Sequence, residues 1–268
     1  MNDGESDVTV AWRMWIADNL ARGVDRERVL ERLLREGVDA PLARATIASI
    51  EASPQRVRGL ARAWIDLDGW SPDALDARFG EVRVAATVDR DDDPDYPHSF
   101  RRRTREMPLG ALVERMRRGP SNDVYLVAQN HALQHTALGE LLESTLRAPG
   151  PALASRRASL WMGPAGTITP FHHDPMDLVA LQVHGRKRWR LIAPTDRAWL
   201  ARVGQVGPYT LLDPERDAIA GVTVRELVIE EGDAIFVPAS TWHHVVAETP
   251  SITISLTALG RDRSWLDA

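Results

Sequence analysis

The chain contains no cysteine. Disulfides, zinc–thiolate sites and cysteine nucleophiles are thereby excluded, and any bound metal must be held by histidine and carboxylate. An excess of positive charge is also missing. The formal net charge is −5 over 268 residues, which gives no global reason to expect a nucleic-acid partner. No apolar run reaches the length of a membrane span. The N-terminus, MNDGESDVTVAWRMW, is acidic and has no apolar run of the signal-peptide kind. A cytoplasmic protein with no membrane partner is therefore expected, and absence of cysteine agrees with that compartment. No glycine-rich phosphate loop and no βαβ alternation are visible. Phenylalanine and tyrosine are scarce, at four and three, whereas tryptophan is abundant at nine. Several of those tryptophans stand beside the motifs described below.

Hydrophobic content is ordinary at 44%, enough for one large domain or a domain with an appendage. Residues 7–53 read as helical. Asp25 is an N-cap for RERVLERLLRE and Gly37 its stop, with Val29, Leu30, Leu33 and Leu34 forming one apolar stripe. Asp39 starts a second helix through PLARATIASIEA. These helices read either as a docking or homodimer module or as a cap on the main core. The expected division is an N-terminal helical region, 1–58, followed by a main domain, 59–268. Ser71-Pro72 opens a short helix that Gly80 ends, and EVRVAATV, 81–88, reads as a strand. DRDDDPDYP, 89–97, is an acidic loop broken by proline, and RRRTRE, 101–106, is its basic counterpart. Such charge runs are most often solvated surface; the functional alternative for 89–106 is a mobile lid beside a substrate cleft. Pro108 opens a helix through Arg118. DVYLVAQ, 123–129, reads as a strand, and 131–147 as one helix.

From residue 157 the texture changes to short β-rich segments: ASLWMG, DLVALQV, RKRWRLIAP, VRELVIE, DAIFVP, HHVVAE and SITISLTAL. Many short strands punctuated by glycine and proline indicate a barrel or double-sheet jelly roll. The expected fold class is thus mainly β with helical additions.

TPFHHD, 169–174, carries the first chemical signal. On a strand or strand edge, side chains two apart share a face, so His172 and Asp174 converge and His173 points away. A third ligand must come from elsewhere, and ASTWHHVVAE offers His243 and His244, between which alternation does not choose. Two histidines and one carboxylate on one side of a metal form the facial triad of non-haem Fe(II) oxygenases. For an isolated pair, a hydrogen-bonded His–Asp at a strand end is the ordinary explanation; the second histidine-rich segment, about 70 residues on, tips the balance. In RKRWRLI, period two puts Arg186, Arg188 and Arg190 on one face and Lys187, Trp189 and Leu191 on the inner one. An inward lysine is costly unless an anion meets it or it snorkels to the rim. The functional reading is an ammonium set to receive the far carboxylate of a diacid.

TPFHHD, with its approach LWMGPAGTI, the strand GRKRWRLIAP, and GDAIFVPASTWHHV together resemble the JmjC-type, cupin-like Fe(II)/2-oxoglutarate oxygenases, over residues 60–260 in order of elements. The resemblance implies a double-stranded β-helix. It implies Fe(II) ligation by His172, Asp174 and His243, with 2-oxoglutarate and O₂ as cosubstrates. It further implies that Lys187 binds the distal carboxylate of 2-oxoglutarate, with Thr169 and Tyr125 hydrogen-bonding the same group. His173 and His244 take supporting or packing roles. Some relatives carry an asparagine on the last strand, where this chain has Thr257. The implied chemistry turns 2-oxoglutarate and O₂ into succinate and CO₂ and hydroxylates an unactivated C–H bond. Members of the family hydroxylate amino-acid side chains in proteins or peptides, and others demethylate lysine. The chain shows no histone-reading or zinc module, which favours hydroxylation over demethylation; an amino-acid side chain of a polypeptide is the expected target, with a free amino acid or another small metabolite as the alternative. A non-catalytic cupin-like binding module has no need of H-x-D, a later histidine and an inward lysine together. Zinc hydrolysis would suit the same three ligands but lacks an obvious general base.

Overall fold

Asp25 and Asp39 begin helices by offering a carboxylate oxygen to a backbone N–H that the first turn leaves unpaired. Asp25 accepts from Glu27 N–H at 2.8 Å and Asp39 from Leu42 N–H at 3.2 Å. A computed structural model describes residues 8, 10–93, 102–128, 130–147, 158–203 and 209–257 of the chain. Outside the described residues lie 1–7 of the expected helical start, 94–97 of the acidic loop, 101 of the basic run, 129 of the expected strand and 258–268 at the end of the expected main domain. Helix α1 (Val10–Ala21), α2 (Arg26–Arg35) and α3 (Ala40–Glu51) pack on one another. Ile16, Val29, Leu30, Leu33 and Ile47 form their shared cluster. The expected stripe is thus buried within the chain except at Leu34, which is 41% exposed.

Two sheets follow from the strand-rich remainder. β1 (Gln55–Val57) and α4 (Leu60–Trp64) lead in. Next come α5 (Pro72–Phe79), with Ser71 as its N-cap, and the hairpin β2 (Arg83–Thr87) with β3 (Thr104–Pro108). Helices α6 (Leu109–Arg117), α7 (Ala132–His135) and α8 (Ala137–Thr145) complete this half. The remaining strands are β4 (Ala158–Gly163), β5 (Ile168–His172), β6 (Leu178–His184) and β7 (Lys187–Ile192). After α9 (Arg197–Val203) come β8 (Arg225–Ile229), β9 (Ala234–Val237), β10 (Trp242–Ala247) and β11 (Ser251–Thr257). One sheet runs β1-β9-β6-β11-β4 and the other β5-β10-β7-β8, every pairing antiparallel. The core is a jelly roll with helical additions.

Alternation decides what each face meets. On β6, Val179, Leu181 and Val183 face out into the cluster shared with Trp64, Leu138 and Leu142. Leu178 and Ala180 face the opposing sheet, where they join Trp189, Leu191 and Val245. Buried on both sides, β6 therefore reads as a nearly continuous apolar run, broken by Gln182.

Three expectations are corrected. Thr104–Pro108, within and beyond the basic run, is strand β3 rather than loop. The described residues of the segment, 123–128, form no full strand: Tyr125 and Leu126 make single bridges, to Thr87 and Met162 respectively. Residues 131–147 form two helices, because Thr136 is extended at φ −135° and its hydroxyl caps the second one through Leu138 N–H. β1 lies before the expected boundary at residue 58 and pairs with β9, where Arg56 also meets Asp233 at 2.6 Å.

Candidate functional site

β5 and β10 are neighbours in register, with His172 opposite His243. Their ring centroids are 4.0 Å apart. Asp174 lies just past the end of β5, and its Oδ2 is 3.8 Å from His243 Nε2. One ligand atom from each of His172, Asp174 and His243 falls within 4.8 Å of the others. The carbonyl of Asp174 accepts the Ser240 N–H at 2.8 Å, which ties the β5 end to the turn before β10.

Each imidazole is oriented by its own backbone. His172 Nδ1 lies 2.9 Å from the Pro170 carbonyl and His243 Nδ1 lies 3.0 Å from that of Thr241. A carbonyl only accepts, so Nδ1 carries the proton and Nε2 keeps its lone pair toward the cluster. Burial, then the neighbouring His172, hold the His243 imidazolium well below the usual histidine range. A neutral imidazole is the form that ligates metal. Two neutral nitrogens and a carboxylate suit a divalent first-row ion such as iron.

The adjoining histidines turn away. His173 packs edge-on against Trp242, with centroids 4.7 Å apart, and burial pushes it down to about 4. His244 packs on Phe171, and burial followed by the charge of Arg190 brings it to about 4 as well. Structure thus chooses between the two histidines that alternation left open: His243 faces inward.

Lys187 is 2% exposed and lines the same cavity as the triad, a space of about 360 Å³. Its ammonium donates to the Tyr125 hydroxyl at 3.1 Å. Thr169 lines this cavity too, opposite Val245 in the β5–β10 register. All six sequence-predicted site residues therefore border one space. Thr257 also lies on its wall.

Sequence reasoning missed Tyr209. Its ring stacks on His172 at 5.1 Å and 8°, and it bridges His172 through the backbone. Burial, then the charge of Asp174, raises its phenol. It comes from a stretch without periodicity, so no pattern marked it. Trp161, tied to Ser255 at 2.7 Å, was legible only as a strand residue. The arginine face of β7 is not uniformly solvated. Arg190 is buried by a bidentate pair with Asp213 at 2.6 and 3.1 Å.

Residues 48–257 match the family described as cupin-like domain. Over 104 residues the chain is 36% identical to Jumonji C domain-containing protein 5 of Drosophila melanogaster, covering 35% of this chain and 26% of that protein. It is 32% identical over 103 residues to Lysine-specific demethylase JMJ30 of Arabidopsis thaliana, covering 35% and 24%. With Ribosomal oxygenase 2 of Rattus norvegicus it shares 38% over 115 residues, covering 41% and 22%. The chain thus spans about a quarter of the length of the curated relatives it matches. Among the described residues no helix is long and apolar enough to cross a membrane.

Proposed function

The chain belongs to the cupin-like domain family, and we propose that it is an Fe(II)- and 2-oxoglutarate-dependent dioxygenase that hydroxylates an amino-acid side chain in a protein or peptide. The observation that carries this reading is the joint presence, in one cavity, of the His172–Asp174–His243 cluster and the buried Lys187 ammonium. A binding module or a zinc hydrolase would use the cluster but would give the ammonium nothing to meet. With Fe(II), 2-oxoglutarate and O₂ supplied, a site of this kind oxidises an unactivated C–H bond.

The chain's own residues do the remaining work. His172, Asp174 and His243 would hold the ion, which would supply the oxidising chemistry. Lys187 and the Tyr125 hydroxyl would receive the far carboxylate of the diacid, with Thr169 on the same wall, and so would orient it in the cavity. Trp161, Trp189 and Tyr209 line the space and give it aromatic walls. A polypeptide substrate agrees with similarity to a protein named a ribosomal oxygenase.

The test is formation of succinate from 2-oxoglutarate with Fe(II) and O₂, followed by mass spectrometry of candidate peptides for a gain of one oxygen. Absence of succinate under every condition would dismiss the enzyme reading. Loss of a methyl group with release of formaldehyde would replace hydroxylation by demethylation.

A further inference from the structure

Tyr125 belongs to no ladder of strands, so its hydroxyl must be aimed by other means. Its backbone exchanges two hydrogen bonds with Thr87, each of 2.9 Å. Three residues beyond Thr87, Arg90 is 3% exposed and lays its guanidinium over the Tyr125 ring, 5.1 Å from the centroid. On β4, a Cβ at Gly163 would come within 2.8 Å of the ring's Cδ2, so backbone stands close to the ring as well. The same guanidinium donates from Nη2 to the Ile168 carbonyl at 2.5 Å. That carbonyl belongs to the peptide bond joining Ile168 to Thr169. On the other side of Ile168, its N–H donates to Asn122 Oδ1 at 2.8 Å. Arg90 does not itself line the triad cavity.

We propose that Arg90 is a positioning residue of the cosubstrate site. A guanidinium is planar: it can cover an aromatic face and donate hydrogen bonds at its edge at the same time. Arg90 uses both capacities, one on the Tyr125 ring and one on the peptide of Thr169. It thereby sets two side chains from separate segments toward one point on the cavity wall. This inference rests on the reading of Lys187, Tyr125 and Thr169 as the receivers of the far carboxylate. It adds that preference for a diacid depends on a side chain that does not touch the ligand. The His172–Asp174–His243 cluster has its own supports, the Pro170 and Thr241 carbonyls and the β5–β10 register, and does not need Arg90.

The experiment is calorimetric titration of the full chain loaded with Mn(II), using 2-oxoglutarate and 2-oxobutyrate. The second acid keeps the 2-oxo acid end and lacks the far carboxylate. The unaltered protein should bind 2-oxoglutarate about tenfold tighter or better, since charge-assisted hydrogen bonds meet only the diacid. Arg90→Met should weaken 2-oxoglutarate about tenfold, the equivalent of one misaimed hydrogen bond, and leave 2-oxobutyrate within about twofold. Bound Mn(II) per chain should not change. Arg90→Lys keeps the charge and a donor but has no plane to stack, so it should weaken 2-oxoglutarate alone by about threefold. It carries the test should Arg90→Met misfold. With the preference for the diacid present in the unaltered protein, undiminished 2-oxoglutarate affinity in the folded Arg90 variants overturns the positioning role alone. Equal weakening of both acids, or loss of bound Mn(II), overturns it too, because Arg90 would then support the fold at large. Equal affinity of the unaltered protein for the two acids overturns the reading of Lys187, Tyr125 and Thr169, and this proposal with it.

Discussion

Lys187→Met separates stability from cosubstrate binding. Lys187 is 2% exposed, and among the described residues its ammonium has one hydrogen-bond partner, the Tyr125 hydroxyl. A buried charge without a counter-ion costs several kcal/mol even after relaxation. Methionine keeps most of the stem's volume and removes the charge, so the cosubstrate-free protein gains about 1–2 kcal/mol. In a chain of this size that raises Tm by about 2–4 °C. The same change leaves the distal carboxylate of bound 2-oxoglutarate with Tyr125 as its main donor. Breaking a buried pair by removing one partner costs about 3–5 kcal/mol. With the Tyr125 hydroxyl retained, the lower end applies, about 3 kcal/mol, or about 150-fold in the 2-oxoglutarate concentration for half-maximal succinate formation. Metal stoichiometry should not move. Thermal denaturation of the metal-free protein and a 2-oxoglutarate titration of succinate formation check both halves. An unchanged half-saturation concentration would refute the role given to the ammonium, and a fall in Tm would refute the view that the free protein carries an unmet charge.

Three further outcomes are expected. His172→Ala should abolish metal binding measured as bound iron per chain, because one imidazole and one carboxylate cannot hold the ion; normal stoichiometry would reject the cluster as a metal site. Asp213 concerns stability against pH. Burial would raise its carboxyl, but the Arg190 hydrogen bonds and charge, with the N–H groups of Arg216 and Glu215, outweigh that and hold it at about 2 against an ordinary 3.8. A depressed folded value means stability that is full above 3.8 and lost as pH falls toward about 2. That contribution is at most about 2 kcal/mol, so Asp213→Asn should lower Tm at neutral pH and flatten its decline between those two values. An unaltered pH profile would count against the Arg190 pairing. Gly185 turns the β6–β7 hairpin at φ 73°, and a Cβ there would run into the Pro250 carbonyl and come within 2.7 Å of Thr249 Oγ1. Gly185→Ala should therefore cost upwards of about 2 kcal/mol in chemical denaturation, and a near-neutral result would mean that the hairpin yields.

The strands were legible where a single physical rule acted alone. β7 alternates because one face meets the opposing sheet, so its inward lysine could be read directly from RKRWRLI. The His172–Asp174 convergence was also readable, although β5 ends at His172 and Asp174 reaches the cluster from the turn beyond it. Other features depend on partners that sequence does not name. Tyr125 and Leu126 are extended like a strand, yet each pairs with a different neighbour, so no ladder forms. Arg190 has the period of a solvated face and is covered only because the stretch bearing Asp213 folds over it. Tyr209 obeys no period and meets His172 through that same excursion.

Register explains why the cluster and the lysine serve one cavity. In the β10–β7 pairing His243 stands opposite Leu191, Val245 opposite Trp189 and Ala247 opposite Lys187. The lysine therefore stands two inward rungs along the sheet from the histidine, roughly 13 Å of strand at about 3.3 Å per residue. Its stem covers part of that distance, and Thr169 enters beside the middle rung, opposite Val245. A one-residue slip of β7 would send Lys187 and Trp189 to the outer face together and bring arginines inward. The apolar residues that fix this register, Leu191, Val245 and Ile229 among them, are the same ones that fill the space between the sheets. Packing of the core and placement of the ammonium thus have one cause, and the site cannot be mis-set without also unpacking the interior.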